Sequence, residues 1–555
     1  MNSFSLDTIR YVTLVYRTHQ VYVQDDWKVR RNLTLNIGFR ADMNLAPDSP
    51  DDRLSDLDLT VPNPVAGGRL GGIVFAGSGT GRVGSKSMVP NWYGKEPRFS
   101  FAWAVSDKTT IRGSATRYFG PLNGTFGSSH FLGFVVHETL ADQTGGIQPV
   151  FILHNGATKY NPPPDIEPGC CNGQNPPYWN GLDGNTPSGQ LNYSFNIQRQ
   201  VTNTSALEVD YLATLASHLS SNFLSLNQVP YRSLPANLNP FTTSGRQVLG
   251  SLVGSSLANS AGVTPPWTCP TGSTVCVPFN TQWGTGASVT QAMRPYPQFG
   301  SIDSRSGGGD RAGHSTYHSM MVKYNKRMSS GLTIQLSYRF SKLLGDADAS
   351  NGDTYNRRLL KSIMAADQTH AVMFTYAYDL PVGKGKALLG SGGVAAAVLG
   401  GWRIAGIQTY ASGIPLSLTS PITFPIGEFT NRAQITTYDG WGGTYSGRFD
   451  PNANLYLQPQ SFFPTQTINS FGNSTRFNPK MRYWPSFNEN ESVTRQFSLK
   501  ERAHLELRLE GFNVLNRTAF GPLSGATTLT NANWGKWGAQ TNTQRRMQLV
   551  AKLTW

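Results

Sequence analysis

The sequence predicts an all-β fold, a transmembrane antiparallel β-barrel with long loops at one end. Three observations predict it. Side chains alternate polar and apolar over segments of about ten residues, short and long connections alternate between those segments, and turn formers are abundant where helix formers are scarce. Only 14% of the 555 residues are charged, while Gly 58 and Pro 34 are plentiful. Mean hydropathy is −0.32, and no run approaches the roughly 18 apolar residues of a membrane helix. A membrane would have to be crossed by strands.

About 13 strands follow in order, at 18–28, 33–42, 97–106, 109–119, 190–201, 204–215, 315–328, 332–342, 368–380, 401–412, 487–499, 503–515 and 545–555. In the second, Leu33, Leu35, Ile37 and Phe39 share a face; in the third, Phe99, Phe101, Trp103 and Val105 do. The fifth repeats the pattern from Leu191 to Gln198. The eighth is the clearest, with Leu332, Ile334, Leu336, Tyr338 and Phe340 opposite Thr333, Gln335, Ser337 and Arg339. In the twelfth, Leu505, Leu507 and Leu509 oppose His504, Glu506, Arg508 and Glu510. The last sets Met547, Leu549, Leu553 and Trp555 against Arg546, Gln548, Lys552 and Thr554. Trp27, Tyr118, Phe119, Trp402 and Trp555 lie near strand ends and suit the aromatic girdles of a membrane interface.

Soluble sandwiches also alternate, so loop lengths decide the environment. Short turns fall at about 29–32, 107–108, 202–203, 329–331 and 501–502, and long loops at about 43–96, 120–189, 216–314, 343–367, 413–486 and 516–544. This is the outer-membrane pattern of short periplasmic turns and long extracellular loops. The Gly/Ala-rich connection 381–400 is the exception, longer than a turn should be. Counting back from Trp555 in the periplasm puts every long loop outside. A one-chain antiparallel barrel closes with an even number of strands, so an odd count predicts strands upstream. Residues 1–17 then read as the remnant of a loop or strand, and 18–555 as an incomplete barrel. The stretch Met1 to Arg10 lacks a basic n-region, an apolar core and a small-residue cleavage site, which suits a mature exported chain or a truncated reading frame.

The formal net charge of +14 raises nucleic acid as a partner, but the basic residues are dispersed, with only short pairs such as Arg30–Arg31 and Arg545–Arg546. A polar lumen or anionic lipopolysaccharide suits them better, and no nucleic-acid partner is expected. Cys269 and Cys276 lie in a Pro/Gly-rich stretch and are expected to form a loop disulfide; the pairing of Cys170 and Cys171 stays open. Residues 79–87 nearly spell a phosphate-binding loop, but Ser85 intrudes before Lys86 and no strand–loop–helix context surrounds it. Asp346, Asp348, Ser350 and Asp353 place oxygens at near-alternate positions, a weak candidate calcium loop whose turn Gly comes one place late and whose closing Glu is replaced by Arg357. His314 and His318 form the one close His pair and lack a third ligand. HExxH and GxSxG are absent, so neither an enzymatic activity nor a cofactor is expected.

Several segments resemble one family, in its order. Tyr22-Val-Gln-Asp-Asp-Trp27 followed by Leu33-Thr-Leu-Asn-Ile-Gly-Phe-Arg40 resembles the first hairpin of Oar-like TonB-dependent receptors. Arg294-Pro-Tyr-Pro-Gln-Phe-Gly300, Tyr338-Arg-Phe-Ser-Lys342 and Asp379-Leu-Pro-Val-Gly383 are similar to later motifs. So are Gly400-Gly-Trp-Arg-Ile-Ala-Gly-Ile407 with Ser412-Gly-Ile-Pro415, and Phe512-Asn-Val-Leu-Asn-Arg517. The resemblance implies a plugged barrel of roughly 22 strands, of which about nine would be missing. It also implies a plug with a TonB box and a small carboxypeptidase-regulatory-like domain ahead of it, neither recognisable here. The implied role is uptake of a bulky, scarce nutrient (oligosaccharide, peptide or metal chelate), captured by the loops and passed when TonB displaces the plug. A passive porin or surface-adhesion barrel is the alternative. Expected partners are outer-membrane lipid and lipopolysaccharide, the barrel-assembly machinery, and the TonB complex only where a plug is present. Leu549, Ala551, Leu553 and Trp555 resemble the C-terminal signal that such machinery reads.

If Leu332, Ile334, Leu336 and Phe340 face lipid, cysteines placed there will react with membrane-soluble maleimides and resist polar ones. Reversed labelling would mean that the register is off by one residue.

Overall fold

The computed structural model describes residues 3–9, 12–120, 132–141, 186–219, 225–264, 286–302, 311–347, 352–427, 429–499 and 503–555, with isolated positions between them. Its centre is a 14-stranded antiparallel sheet: thirteen long strands in one unbroken path, and the short Ser362–Ile363 beside one of them. In chain order the path is β1 Thr18–Arg30, β2 Leu33–Asn44, β3 Trp92–Ser106, β4 Thr109–Phe119 and β5 Gly189–Thr202. It continues through β6 Ser205–Leu219, β7 Gly313–Ser329, β8 Leu332–Gly345 and β9 His370–Asp379. It ends with β10 Trp402–Ala411, β11 Ser486–Ser498, β12 His504–Phe512 and β13 Arg546–Thr554. Each strand pairs with the one before and after it, so β1 and β13 are the edges among the described residues.

All thirteen expected strands are present, and the differences lie at the long-loop ends. β3 starts at Trp92 rather than 97, and β6 runs on to Leu219. The β2–β3 ladder is continuous from Leu33 opposite Trp103 to Asn44 opposite Trp92. Its loop-side residues Lys95, opposite Ala41 on the apolar face, and Trp92, opposite Asn44 on the polar face, break the polar/apolar alternation from which boundaries are read.

Because side chains alternate faces, register decides which residues share a surface. One row across nine pairings reads Leu33, Trp103, Ile111, Ile197, Val209, Val322, Tyr338, Val372, Tyr410 and Phe487. Arg112, Asn196, Asp210 and Arg339 lie in a row on the opposite face. The apolar face is not covered by protein: in this row Trp103 is 42% and Phe487 41% exposed, and Leu549 on the same face is 77% exposed. A sheet that leaves such a band uncovered needs a non-aqueous surrounding. Trp27 and Trp402 sit on this apolar face, whereas Tyr118, expected in the same girdle, is on the other. There it donates to Gln190 Oε1 at 2.5 Å.

Tight turns join the strands at one end. Between β7 and β8 the loop is Ser330-Gly331, with φ of 52° and 78°. Two positive φ values define the hairpin turn that matches strand twist, and Gly at the second position takes it without strain. The exception is the 380–401 connection, which carries a short helix at Val394–Leu399. The long loops all leave from the opposite end, and they hold the protein's buried clusters. Outside the main sheet, Ser3–Ile9 pairs with Val135–Ala141, Ser55–Asn63 with Arg69–Phe75, and Phe520–Pro522 with Trp537–Gln540.

The structure refines where a charge on the apolar face costs most. Leu336 is the fifth residue of β8 and nearer mid-strand than Ile334. Leu336→Arg should destabilise the protein in vesicles by about 2–4 kcal/mol and Ile334→Arg by less. Gln335→Arg, on the polar face, should be near neutral; unfolding by denaturant in vesicles checks all three.

Candidate functional site

Two features could meet a ligand: the polar face of the sheet and the layer formed by the long loops. On the polar face, charges come in compensated groups. Lys323 Nζ lies 2.8 Å from Asp210 and 3.3 Å from Glu208, and Asn196 donates to both carboxylates. Towards the loop end, Arg40 donates to Asp42 at 2.6 and 2.9 Å, and both Arg40 and Arg98 stand 3.7 Å from Glu96, which is 1% exposed. On β12, Arg508 bridges Glu506 at 2.6 Å and Glu510 at 2.9 Å. Neighbours of opposite sign are what a charged wall needs to remain folded when partly desolvated.

Five of the long loops form one continuous layer, because each is fastened to another of them. Residues 45–91 meet 220–312 where Gln298 Nε2 donates to Leu70 O at 2.7 Å. Segment 220–312 meets 346–369 where Tyr231 donates to Asp353 Oδ2 at 2.7 Å, and meets 412–485 where Val229 N–H donates to Ile426 O at 2.9 Å. Arg482 Nη2 donates at 2.7 Å to Asp367 Oδ2, whose side chain is fully buried, and so ties 412–485 to 346–369. Thr419 N–H donates to Thr527 O at 3.0 Å and closes the series onto 513–545. Apolar cores lie beneath these ties. The largest unites Leu416, Leu418, Trp441, Leu457, Trp534 and Trp537 from the last two loops. Tyr231, Phe424 and Phe471 form a tight aromatic group, with Phe424 and Phe471 rings 4.8 Å apart.

The Arg294–Gly300 segment, quoted above only as a family likeness, is a hub of this layer. Arg294 Nη1 donates to Asn227 O at 2.8 Å, Asn227 Nδ2 donates to Tyr296 O and Phe299 O, and Phe299 is fully buried. Asp353 and Asp346, from the weak calcium candidate, are engaged elsewhere. Asp353 accepts from Tyr231 and Gln228; Asp346 accepts from the His314 N–H at 2.7 Å and lies 3.8 Å from Arg357. Asp348 and Ser350 lie outside the described residues, as do Cys170, Cys171, Cys269 and Cys276. Among the described residues no group of three His, Cys, Asp or Glu side chains converges as a metal site. Residues 79–87 form a loop folded on Phe75 through the Phe75–Arg82 and Gly77–Ser85 bridges, and no helix follows them. His318 Nδ1 lies 2.7 Å from Tyr211 Oη, separate in role from His314. Leu549, Ala551 and Leu553 share the apolar face of β13.

Sequence reasoning missed a polar group on the apolar face. Glu491 crosses Gly406 and accepts from Tyr376 Oη at 2.7 Å and Gln408 Nε2 at 2.5 Å, while Glu489 accepts from Arg517 at 2.7 Å. In β11 both faces carry polar residues, so alternation gives no warning.

The model for a family described as outer membrane beta barrel domain matches residues 2–548. The chain belongs to that family. The apolar face is accordingly the lipid-facing wall of an outer-membrane barrel, and the strands are its membrane-spanning elements. No curated protein matches it in sequence. Among solved structures it is similar to the ferripyoverdine receptor of the outer membrane of Pseudomonas aeruginosa, at 8% identity over 98% of this chain and 39% of that one, TM-score 0.38. It is similar also to the ferric citrate transporter FecA (8% identity, 97% and 45%, TM-score 0.37) and the copper transporter OprC (7% identity, 97% and 48%, TM-score 0.38). The chain spans less than half the length of each of these structures.

Two outcomes test the loop layer. Arg482→Met would leave the buried Asp367 carboxylate without its cation, costing about 3–5 kcal/mol, and should expose 346–369 to protease at neutral pH. Burial pushes the Tyr231 hydroxyl up to about 12, and the Asp353 carboxylate adds to the shift. A raised folded value means stability present below the ordinary value near 10 and lost as pH rises through about 12. The layer should therefore loosen between these limits in a limited-proteolysis series, and Tyr231→Phe should remove that part of the pH dependence.

Proposed function

We propose that this barrel is the wall and loop layer of a TonB-dependent transporter of the Oar-like type, which takes up a bulky, scarce nutrient through a plug-gated lumen. The observation that carries the proposal is the joining of five long loops, all from one end of the strands, into a single cross-fastened layer. A passive porin gains nothing from such a layer, whereas a receptor needs a preorganised surface to hold its ligand. The ordered motifs shared with Oar-like receptors support the same reading. The free edges of β1 and β13 call for further strands to close the wall, since long unpaired edges in lipid leave peptide groups unsatisfied. In this reading Leu549, Ala551, Leu553 and Trp555 present the barrel-assembly signal.

The candidate nutrients are an oligosaccharide, a peptide or a metal chelate, and the loops are where they would first bind. Uptake by cells expressing the full-length gene product is the test. It should stop when TonB is deleted or the proton gradient is collapsed. Solute flux that survives both treatments, and that swells protein-loaded liposomes, would instead establish a porin.

A further inference from the structure

The connection 380–401 is too long for a hairpin turn and does not behave as one. It folds back against the lipid-facing wall. Its helix, Val394–Leu399, is held there by the side chains of β10 and β11. Arg495 Nη1 donates to Val398 O at 2.5 Å, Arg495 also donates to Ala397 O, and Trp402 Nε1 donates to Val398 O at 3.3 Å. Arg495 in turn lies over the rings of Trp402 and Phe497 at 5.5 and 4.3 Å. Trp402 and Arg495 are opposite one another, in the face that carries Ile404, Val493 and Tyr378. This face belongs to the lipid-facing wall, so the helix lies on the outside of the barrel.

The helix sequence is Val-Ala-Ala-Ala-Val-Leu, without one polar side chain. Only Ala396 is buried by protein; Val394 is 82%, Val398 58% and Leu399 56% exposed, and Leu388 in the preceding segment is 58% exposed. A helix that is apolar all round belongs in a core or in lipid, and among the described residues no protein core covers this one. The patch is continuous with the lipid-facing wall and has a Trp at its edge, the residue enriched where hydrocarbon meets headgroups. The same connection supplies Lys384 and Lys386, both exposed, which complement an anionic headgroup layer.

We propose that residues 381–400 form an interfacial anchor, whose helix and Leu388–Leu389 insert into the periplasmic leaflet of the outer membrane while Lys384 and Lys386 contact phospholipid phosphates. The occupant is thus the bilayer rather than a protein partner. The leaflet assignment rests on the periplasmic placement of the short turns.

The test uses an environment-sensitive fluorophore on Val398→Cys in the full-length protein, with Cys170, Cys171, Cys269 and Cys276 replaced by Ser, in vesicles of phosphatidylethanolamine and phosphatidylglycerol. Asn203→Cys, in the tight turn between β5 and β6, is the water-facing control. Nitroxide lipids labelled near the headgroup should quench Val398 several-fold more than Asn203, and iodide should show the reverse. Equal iodide quenching at the two sites would overturn the anchor, as would protection from both quenchers, which would mean that protein covers the helix. Val394→Asp together with Leu399→Asp should return the Val398 label to water; if quenching by lipid is unchanged, insertion of the helix is refuted. Labelling of Val398→Cys by an impermeant maleimide added to intact cells would show that the turns face outward, an outcome that overturns the leaflet assignment and is read separately from the quenching.

Discussion

Everything in this molecule depends on the ladder of backbone hydrogen bonds between neighbouring strands. In hydrocarbon a peptide group has no water to turn to, and leaving one unpaired costs several kcal/mol, so a wall of strands is viable only where each is flanked by partners. The unbroken path from β1 to β13 meets that demand across the described sheet. It also dictates the sequence. Once the ladder sets the register, alternate residues are committed to opposite solvents, and the row from Leu33 to Phe487 is apolar because lipid lies beyond it. The charges of Lys323, Asp210 and Glu208 are confined to the other face, where the one ammonium serves both carboxylates.

The alternation made most of the wall legible. Leu332 to Phe340 reveals a strand, a face and a solvent in nine letters, and the turn at Ser330-Gly331 is written in a residue pair that takes positive φ. Tyr118 was misplaced because an aromatic near a strand end looks the same whichever way it points; only the pairing with Gln190 settles its side. Glu491 was invisible for a related reason, since a strand with polar residues on both faces has no period to read. Its cost is offset by neighbours on two other strands, Tyr376 and Gln408, which one-dimensional reasoning cannot bring together.

The loop layer was the least legible part. Its ties join residues far apart in sequence, such as Gln298 and Leu70, Tyr231 and Asp353, or Arg482 and Asp367, and nothing local predicts them. The Arg294–Gly300 segment shows the limit clearly. Its likeness to a family motif carries no hint of its work, which the structure supplies: a Pro-rich turn presents Gln298 and Phe299 to a neighbouring loop while Arg294 holds Asn227.

That cross-fastening has a consequence for how such a surface can change. Many of its ties end on backbone carbonyls, as at Leu70, Ile426 and Thr527, so they tolerate a new side chain at the acceptor but not a loop of different course. Diversity is then inherited in two tiers. Single substitutions at outward positions can alter the exposed surface without disturbing the scaffold, whereas a loop exchanged alone between relatives arrives without its counterparts. Recombination that moves the loops as a set is the route by which one wall could acquire a different outer surface.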